Sequence, residues 1–294
     1  MRITPSMQNR NFLENIDDAK ARVDKAQREI SSGKRVNQLS DDPFAASQAS
    51  RIASVMSVND QLIANNDLLR SKLELTDSVL QSLNETIDDA KSIAVQALSG
   101  TTTPESRSAL AAAMEGARAK ALSTASAQFD GTFIFSGTLT STEPFQDSGG
   151  TVTFHGNDEP LFMRLDRTTV IKTNITNADL FAGPPSVFGV LDSLPAAIEA
   201  NDTSAIRAGL SDLELIANRI NTSAAVIGSD IQLVDKVQSA LKSHNLALQS
   251  ESSRLTDADL VESISSLNLS NEAVSVTLQA QSRVQQLSLI DFLH

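Results

Sequence analysis

The 294-residue sequence contains no cysteine, no tryptophan and no tyrosine. Without cysteine the chain can form no disulfide, and it offers no thiolate to zinc, to an iron–sulfur cluster or to covalent catalysis. Lysine and arginine number 24 against 36 aspartates and glutamates, so the net charge is −12. An acidic chain without a basic run is poorly suited to nucleic acid or to an anionic membrane, so neither is expected as a partner.

Long apolar runs are also missing. No run approaches the roughly 18–20 residues of a membrane span, and the first residues lack the apolar core of a secretory signal. We therefore expect a protein that stays in the cytosol or leaves the cell by a route that does not read such a signal. Hydrophobic residues still make up 40% of the chain, which is enough for a packed core.

No pattern of catalytic residues is present in the sequence. The 3 histidines are far apart in the sequence, and none forms a recognisable ligand pattern with a second histidine. Asp41 and Asp42 precede Pro43, where capping of a helix is a simpler interpretation than metal binding. Because no nucleophile, base and orienting residue occur together, the sequence predicts no enzyme, no cofactor and no metal site.

Proline is absent between Phe44 and Thr103, and again from Ala196 onwards, so both tracts can hold long helices. Apolar residues recur at alternating spacings of three and four in each, from Ile52 to Ala97 and from Leu210 to Leu248. This period of 3.5 predicts helices packed in a left-handed coiled bundle. Asp42-Pro43 marks the start of the first tract, and a further helix opens at 103–105. A helical bundle with no role in assembly shows the same period, so periodicity alone leaves that alternative open.

Each end of the chain carries a shorter apolar ladder. The N-terminal ladder ends at Gly33, which suits a left-handed helix cap, and Thr256 with Asp259 fits a capping box that opens the C-terminal one. The N-terminal ladder consists of Phe12, Ile16, Ala19, Val23, Ala26 and Ile30. The C-terminal ladder consists of Leu260, Ile264, Leu267, Asn271, Val274, Leu278, Gln281 and Gln285.

The middle of the chain differs in composition. Residues 129–182 hold seven of the 11 phenylalanines and five of the 12 glycines. Short runs of β-type residues at 132–136, 151–154, 161–165 and 170–175 are separated by turn residues, which predicts antiparallel hairpins. A segment of this size has a marginal core of its own, so we expect it to pack against the helices.

The fold class that follows is mainly α: a long coiled-coil-like helical bundle formed by both chain ends, with a small antiparallel β domain inserted in the middle. We predict three parts. Residues 1–40 and 255–294 form a terminal helix pair, residues 41–129 and 183–254 form the long bundle, and residues 130–182 form a β-rich outer domain.

Two segments resemble the ends of flagellin-family axial proteins. They are residues 30–43, ISSGKRVNQLSDDP, and residues 254–293, RLTDADLVESISSLNLSNEAVSVTLQAQSRVQQLSLIDFL. The start MRIT, the SDDP motif and the SLIDFL ending are more similar to family members at the junction between hook and filament than to flagellin. The resemblance covers nearly the whole chain and is weakest between 138 and 182.

The resemblance implies a structural role in the flagellum, as an adaptor between a hook-associated layer and the filament. The two terminal helices would pair and stack from subunit to subunit, with the β domain outward. The implied assembly interface comprises Phe12, Ile16, Val23, Ile30, Leu260, Ile264, Leu267, Asn271, Val274 and Leu278.

The resemblance also implies partners and a location. The partners are the first hook-associated protein, flagellin, other copies of the chain and, at a cytosolic stage, a flagellar export chaperone over the C-terminal ladder. Type III export would place the protein outside the cell at the hook–filament junction, and both ends are expected to be mobile in the free monomer. Two alternatives remain: flagellin, the bulk filament subunit, and a type III secreted coiled-coil adhesin or translocator.

Overall fold

The computed structural model describes residues 5–99 and 102–292. Its helices are α1 (Pro5–Ser32), α2 (Pro43–Ala97), α3 (Pro104–Ala125), α4 (Asn177–Leu180), α5 (Val187–Glu199), α6 (Thr203–Thr256) and α7 (Leu260–Phe292). Three pairs of short antiparallel strands lie between α3 and α4, so the predicted fold class is confirmed. The start MRIT, Leu293 of the SLIDFL ending and the side chain of Gln285 lie outside what the structure describes.

The strands pair as local hairpins. They are β1 (Gln128–Phe129) with β2 (Thr132–Phe133), β3 (Phe145–Asp147) with β4 (Val152–Phe154), and β5 (Phe162–Arg164) with β6 (Val170–Lys172). Asp130 and Gly131 join β1 to β2 with φ values of 47° and 73°. Two successive positive φ angles are typical of the type I′ turn, whose twist matches that of the strands.

The strand bounds differ from the prediction. The run at 132–136 leaves the strand after Phe133, because the next three residues, 134–136, are all buried and do not alternate between two faces. The run at 170–175 ends at Lys172, and the buried residues 173–176 that follow do not alternate and lead to the N-cap of α4 at Thr176. Strand β3 was missed, since its sequence Phe-Gln-Asp holds no β-branched residue.

The predicted helix ends are mostly confirmed. The Asp42 carboxylate accepts from the Ala45 N–H (3.0 Å) at the start of α2, and Gly33 follows α1 with a φ of 68°. The capping box at Thr256 is wrong. Thr256 is the last residue of α6, whose hydroxyl donates to the Ser252 carbonyl (2.9 Å), and Asp259 alone caps α7. The same spacing fits the end of one helix followed by the start of another.

The chain divides into two compact units. The first comprises Met1–Val58 and Ser243–His294, and in it α1 packs against α7. The second comprises Asn59–Lys242 and holds a continuous hydrophobic core. The largest fully buried side chains of that core are Leu69, Leu73, Leu80, Leu83, Ile87, Met114, Phe135, Leu165, Leu180, Phe181, Leu191 and Leu194.

An aromatic cluster fastens the β segment to the helices of the second unit. The ring centroids of Phe145 and Phe188 are 5.1 Å apart, and that of Phe181 lies 4.7 Å from Phe145. Phe188 belongs to α5, so the hairpins share a core with the helices, as their size leads us to expect. Arg118 of α3 adds a polar link, because its guanidinium donates to Asp147 of β3 and Asp192 of α5. Those hydrogen bonds raise the pKa of Arg118 above its usual value.

Candidate assembly surface

Helix α1 buries one narrow face. Ile16, Ala19 and Ala26 are buried on it, and Phe12, Val23 and Ile30 are half-buried. Residues three or four apart lie on the same side of a helix, so these six positions form one stripe. All four α1 residues of the expected interface lie on the side that faces into the first unit.

Helix α7 buries a face that is offset from the expected ladder. Its buried positions are Ser263 and Ser270, with Leu267 and Val274 half-buried beside them. The Ser263 hydroxyl donates to the Glu29 carboxylate of α1 (3.1 Å), so the buried hydroxyl has a partner within the pair. Small side chains on both helices permit a close approach of their backbones. We call this contact the Ala/Ser seam: Ala19, Ala26, Ser263 and Ser270.

Four expected α7 residues lie beside the seam and are exposed. Ile264 and Leu278 belong to this set, together with Leu260 and Asn271. At 100° per residue they lie about 60–100° around the helix from the middle of its buried face. We call the three apolar members, Leu260, Ile264 and Leu278, the flank stripe. The structure therefore places Leu267 and Val274 in the contact between the two helices and leaves the flank stripe about half exposed.

Sequence reasoning missed the serines of the seam because on α7 it followed the ladder that begins with the large apolar residues Leu260 and Ile264. The signal was present, since Ser263, Ser270 and Thr277 are spaced by seven and share one face. Further exposed apolar residues were also missed. They are Met7 and Leu13 on α1, and Val261, Leu269 and Val276 on α7.

The arrangement suits docking better than chemistry. Apolar surface that remains exposed on a folded unit commonly marks a site of interaction with another protein.

Among residues 5–99 and 102–292, no group of three or more histidines or acidic residues is placed to hold a metal ion. Asp41 and Asp42 accept hydrogen bonds from backbone N–H groups, which favours their role as caps. Within the same described ranges, no helix is long and apolar enough to cross a membrane.

Comparison with known proteins connects this geometry to a family. Residues 3–140 match the model of the bacterial flagellin N-terminal helical region. Flagellar hook-associated protein 3 of Salmonella typhimurium is 27% identical over 315 residues, covering 98% of each chain. Flagellin FlaB1 of Treponema pallidum is 24% identical, covering 90% of this chain and 91% of the relative.

A solved structure shares the fold. The crystal structure of the flagellar junction protein FlgL from Legionella pneumophila superposes with a TM-score of 0.61 at 12% identity. It covers 71% of this chain and 99% of that chain. At such low identity the likeness concerns the fold alone. The chain is therefore similar to flagellar hook-associated protein 3 along nearly its whole length, and its residues 3–140 are similar to the N-terminal helical region of bacterial flagellin.

Proposed function

We propose that the protein is a structural component of the bacterial flagellum that joins a hook-associated layer to the flagellin filament and catalyses no reaction. The observation that carries this proposal is the similarity to flagellar hook-associated protein 3 across 98% of both chains. The proposed partners are the first hook-associated protein, flagellin and further copies of the chain. An export chaperone would bind α7 before assembly, and the assembled protein would lie outside the cell at the hook–filament junction.

The terminal helix pair supports an assembly role. Its flank stripe presents apolar side chains that the first unit covers only in part, since they are 48–52% exposed. Burying such surface against a neighbouring copy contributes about 25 cal/mol per Å² of apolar area. A contact between different faces of neighbouring copies builds a ring where the rotation closes and a helical array where it does not.

A deletion strain tests the proposal. Loss of a junction component should leave intact hooks and release unattached flagellin into the medium, because the filament has nothing to attach to. Hooks are counted by electron microscopy, and flagellin is measured in the culture supernatant. A strain that keeps attached filaments would contradict the proposal.

Two variants of the flank stripe separate docking from folding. Ile264→Asp and Leu278→Asp should fail to restore filaments in the deletion strain, since each places a charge in an apolar contact. Leu215→Asp on α6 is the matched control, because its side chain is 54% exposed against 52% for Leu278. We expect the control to restore filaments and all three proteins to unfold at the same temperature. If the two stripe variants restore filaments as well as the control does, the flank stripe is not part of the interface.

The contact between α1 and α7 needs a separate pair of variants, at residues that flank the Ala/Ser seam. Ile16→Asp and Leu267→Asp should abolish incorporation, while the thermal unfolding of the Asn59–Lys242 unit stays nearly unchanged. The reason is that both residues belong to the other compact unit. If either substitution unfolds the Asn59–Lys242 unit, the terminal pair contributes to the core of that unit.

Flagellin, the bulk filament subunit, is the second candidate, and the similarity to Treponema flagellin FlaB1 favours it. The same helix pair would then serve a protein of much higher copy number. Polymerisation of the purified chain into long filaments would favour this alternative. The deletion strain also discriminates, because loss of the filament subunit leaves no flagellin to release.

A further inference from the structure

The two connections that lead to the terminal helices are joined to each other. They are residues 33–42, between α1 and α2, and residues 257–259, between α6 and α7. The N–H groups of Arg35 and Val36 donate to the Thr256 carbonyl (2.7 and 3.2 Å), and the Ala258 N–H donates to the Gly33 carbonyl (3.0 Å). We call these segments the double connection. All of its residues belong to the first compact unit.

The side chain of Arg35 reinforces the double connection. Its Nη2 donates to the Leu255 carbonyl (2.9 Å) and to the Asp42 carboxylate (3.3 Å). Leu255 lies in the last turn of α6, where carbonyls lack helical partners and attract a cation. Asp42 caps α2 through the Ala45 N–H (3.0 Å). Arg35 therefore ties the end of one long helix to the start of the other.

The loop before α2 is held in shape by its own carboxylates. Asp41 accepts from the N–H groups of Asn37 (3.0 Å) and Gln38 (2.8 Å). These bonds lower the pKa of Asp41, and the Ala45 N–H together with Arg35 lowers that of Asp42. Both carboxylates are therefore charged at neutral pH, so the partner of Arg35 is an anion.

We infer that Arg35 is a positioning residue that fixes the orientation of α1 relative to the first turns of α2. The inference rests on the proposed function, since identical placement of the terminal pair in every copy is what a regular layer requires. A guanidinium suits this task because it is planar and rigid, so the two N–H groups on Nη2 point to their two acceptors in fixed directions. The Arg35 side chain is 48% exposed, so its ion pair adds little to stability. Loss of the Arg35 side chain should therefore change the orientation of α1 more than it changes the free energy of unfolding.

Distances between spin labels measure this position directly. The chain has no cysteine, so Lys20→Cys on α1 and Ser57→Cys on α2 give two labels without background. Both sites are exposed and belong to the first unit. In the full chain we expect Arg35→Met to broaden the distance distribution about twofold, while the thermal unfolding temperature is unchanged.

Two further variants and a control complete the experiment. Asp42→Asn keeps an oxygen for the Ala45 N–H but removes the charge, so it should broaden the distribution less than Arg35→Met. Arg35→Lys should give a distribution between those of the wild type and Arg35→Met, because the ammonium sits on a flexible stem and its N–H groups rotate. Arg254→Met is the matched control, since this neighbouring arginine pairs with Glu251 of its own helix. It should leave the distribution unchanged.

Three results would overturn the inference. An unchanged distribution in Arg35→Met shows that the backbone bonds alone set the direction. A wild-type distribution in Arg35→Lys shows that the fixed geometry of the guanidinium is not needed. Equal broadening in Arg254→Met shows a general effect of charge. The measurement uses the purified chain, so its failure is distinguishable from a deletion phenotype that contradicts the proposed function.

Discussion

Leu69→Ala in α2 tests whether the apolar ladder of the long helix forms the core of the second unit. Leu69 is 1% exposed, whereas its neighbour Leu68 is 56% exposed. Truncation at Leu69 removes buried methyl groups and leaves a cavity. The residue lies within a continuous 55-residue helix, so the backbone cannot readily move in to fill the space. We therefore expect a loss of about 2–5 kcal/mol.

The assay is thermal and urea unfolding followed by circular dichroism. A loss near 3 kcal/mol lowers the melting temperature by about 6–12 °C for a unit of this size. Leu68→Ala is the matched control, and a change within about 0.5 kcal/mol is expected there. If Leu69→Ala costs less than about 1 kcal/mol, or as little as Leu68→Ala, the assignment of the buried face of α2 is wrong.

Three further predictions concern other parts of the chain. Gly137→Ala should destabilise the protein by more than about 1 kcal/mol in urea unfolding, because φ is +69° and the new Cβ would lie 2.1 Å from the Asn157 carbonyl oxygen; Gly116→Ala, in the open interior of α3, should stabilise it by about 0.5–1 kcal/mol. The hydrogen bond from Arg118 holds the pKa of Asp147 below its usual 3.8. The stability that Asp147 contributes is present above that value and is lost as the pH falls through the folded-state pKa. Between about pH 5 and pH 3, the urea midpoint of Asp147→Asn should therefore fall less than that of the wild type. Amide exchange should be faster in α1 and α7 of the free monomer than in the core of the second unit, and equal protection would refute the expected mobility of the ends.

The long helices follow from the sequence because their signals are local and repeated. Proline at residues 43 and 104, each preceded by a capping side chain, marks the start of α2 and α3. Gly33 marks the end of α1 by its need for a positive φ. Each of these signals acts within one turn of helix, so tertiary contacts do not override it.

The buried face of α7 did not follow from the sequence in the same way. Leucine and isoleucine at 260 and 264 pointed to one face, but the seam uses Ser263 and Ser270 instead. A helix partner that presents alanine selects small residues opposite it, and composition alone does not show which partner that is. The double connection could not be predicted from the sequence either, because Arg35 and Leu255 are 220 residues apart.

The two helix contacts differ in the size of the side chains that they bury. The core of the second unit buries leucine and isoleucine, such as Leu80 and Ile87, whereas the seam of the terminal pair buries alanine and serine. Apolar area sets the free energy of such contacts, so the seam stabilises the pair far less than the core stabilises the second unit. Under the proposed function, a pair held weakly by its own seam would gain the rest of its stability from neighbouring copies. Order in the terminal pair would then depend on incorporation, and we propose the flank stripe as the surface through which neighbouring copies act.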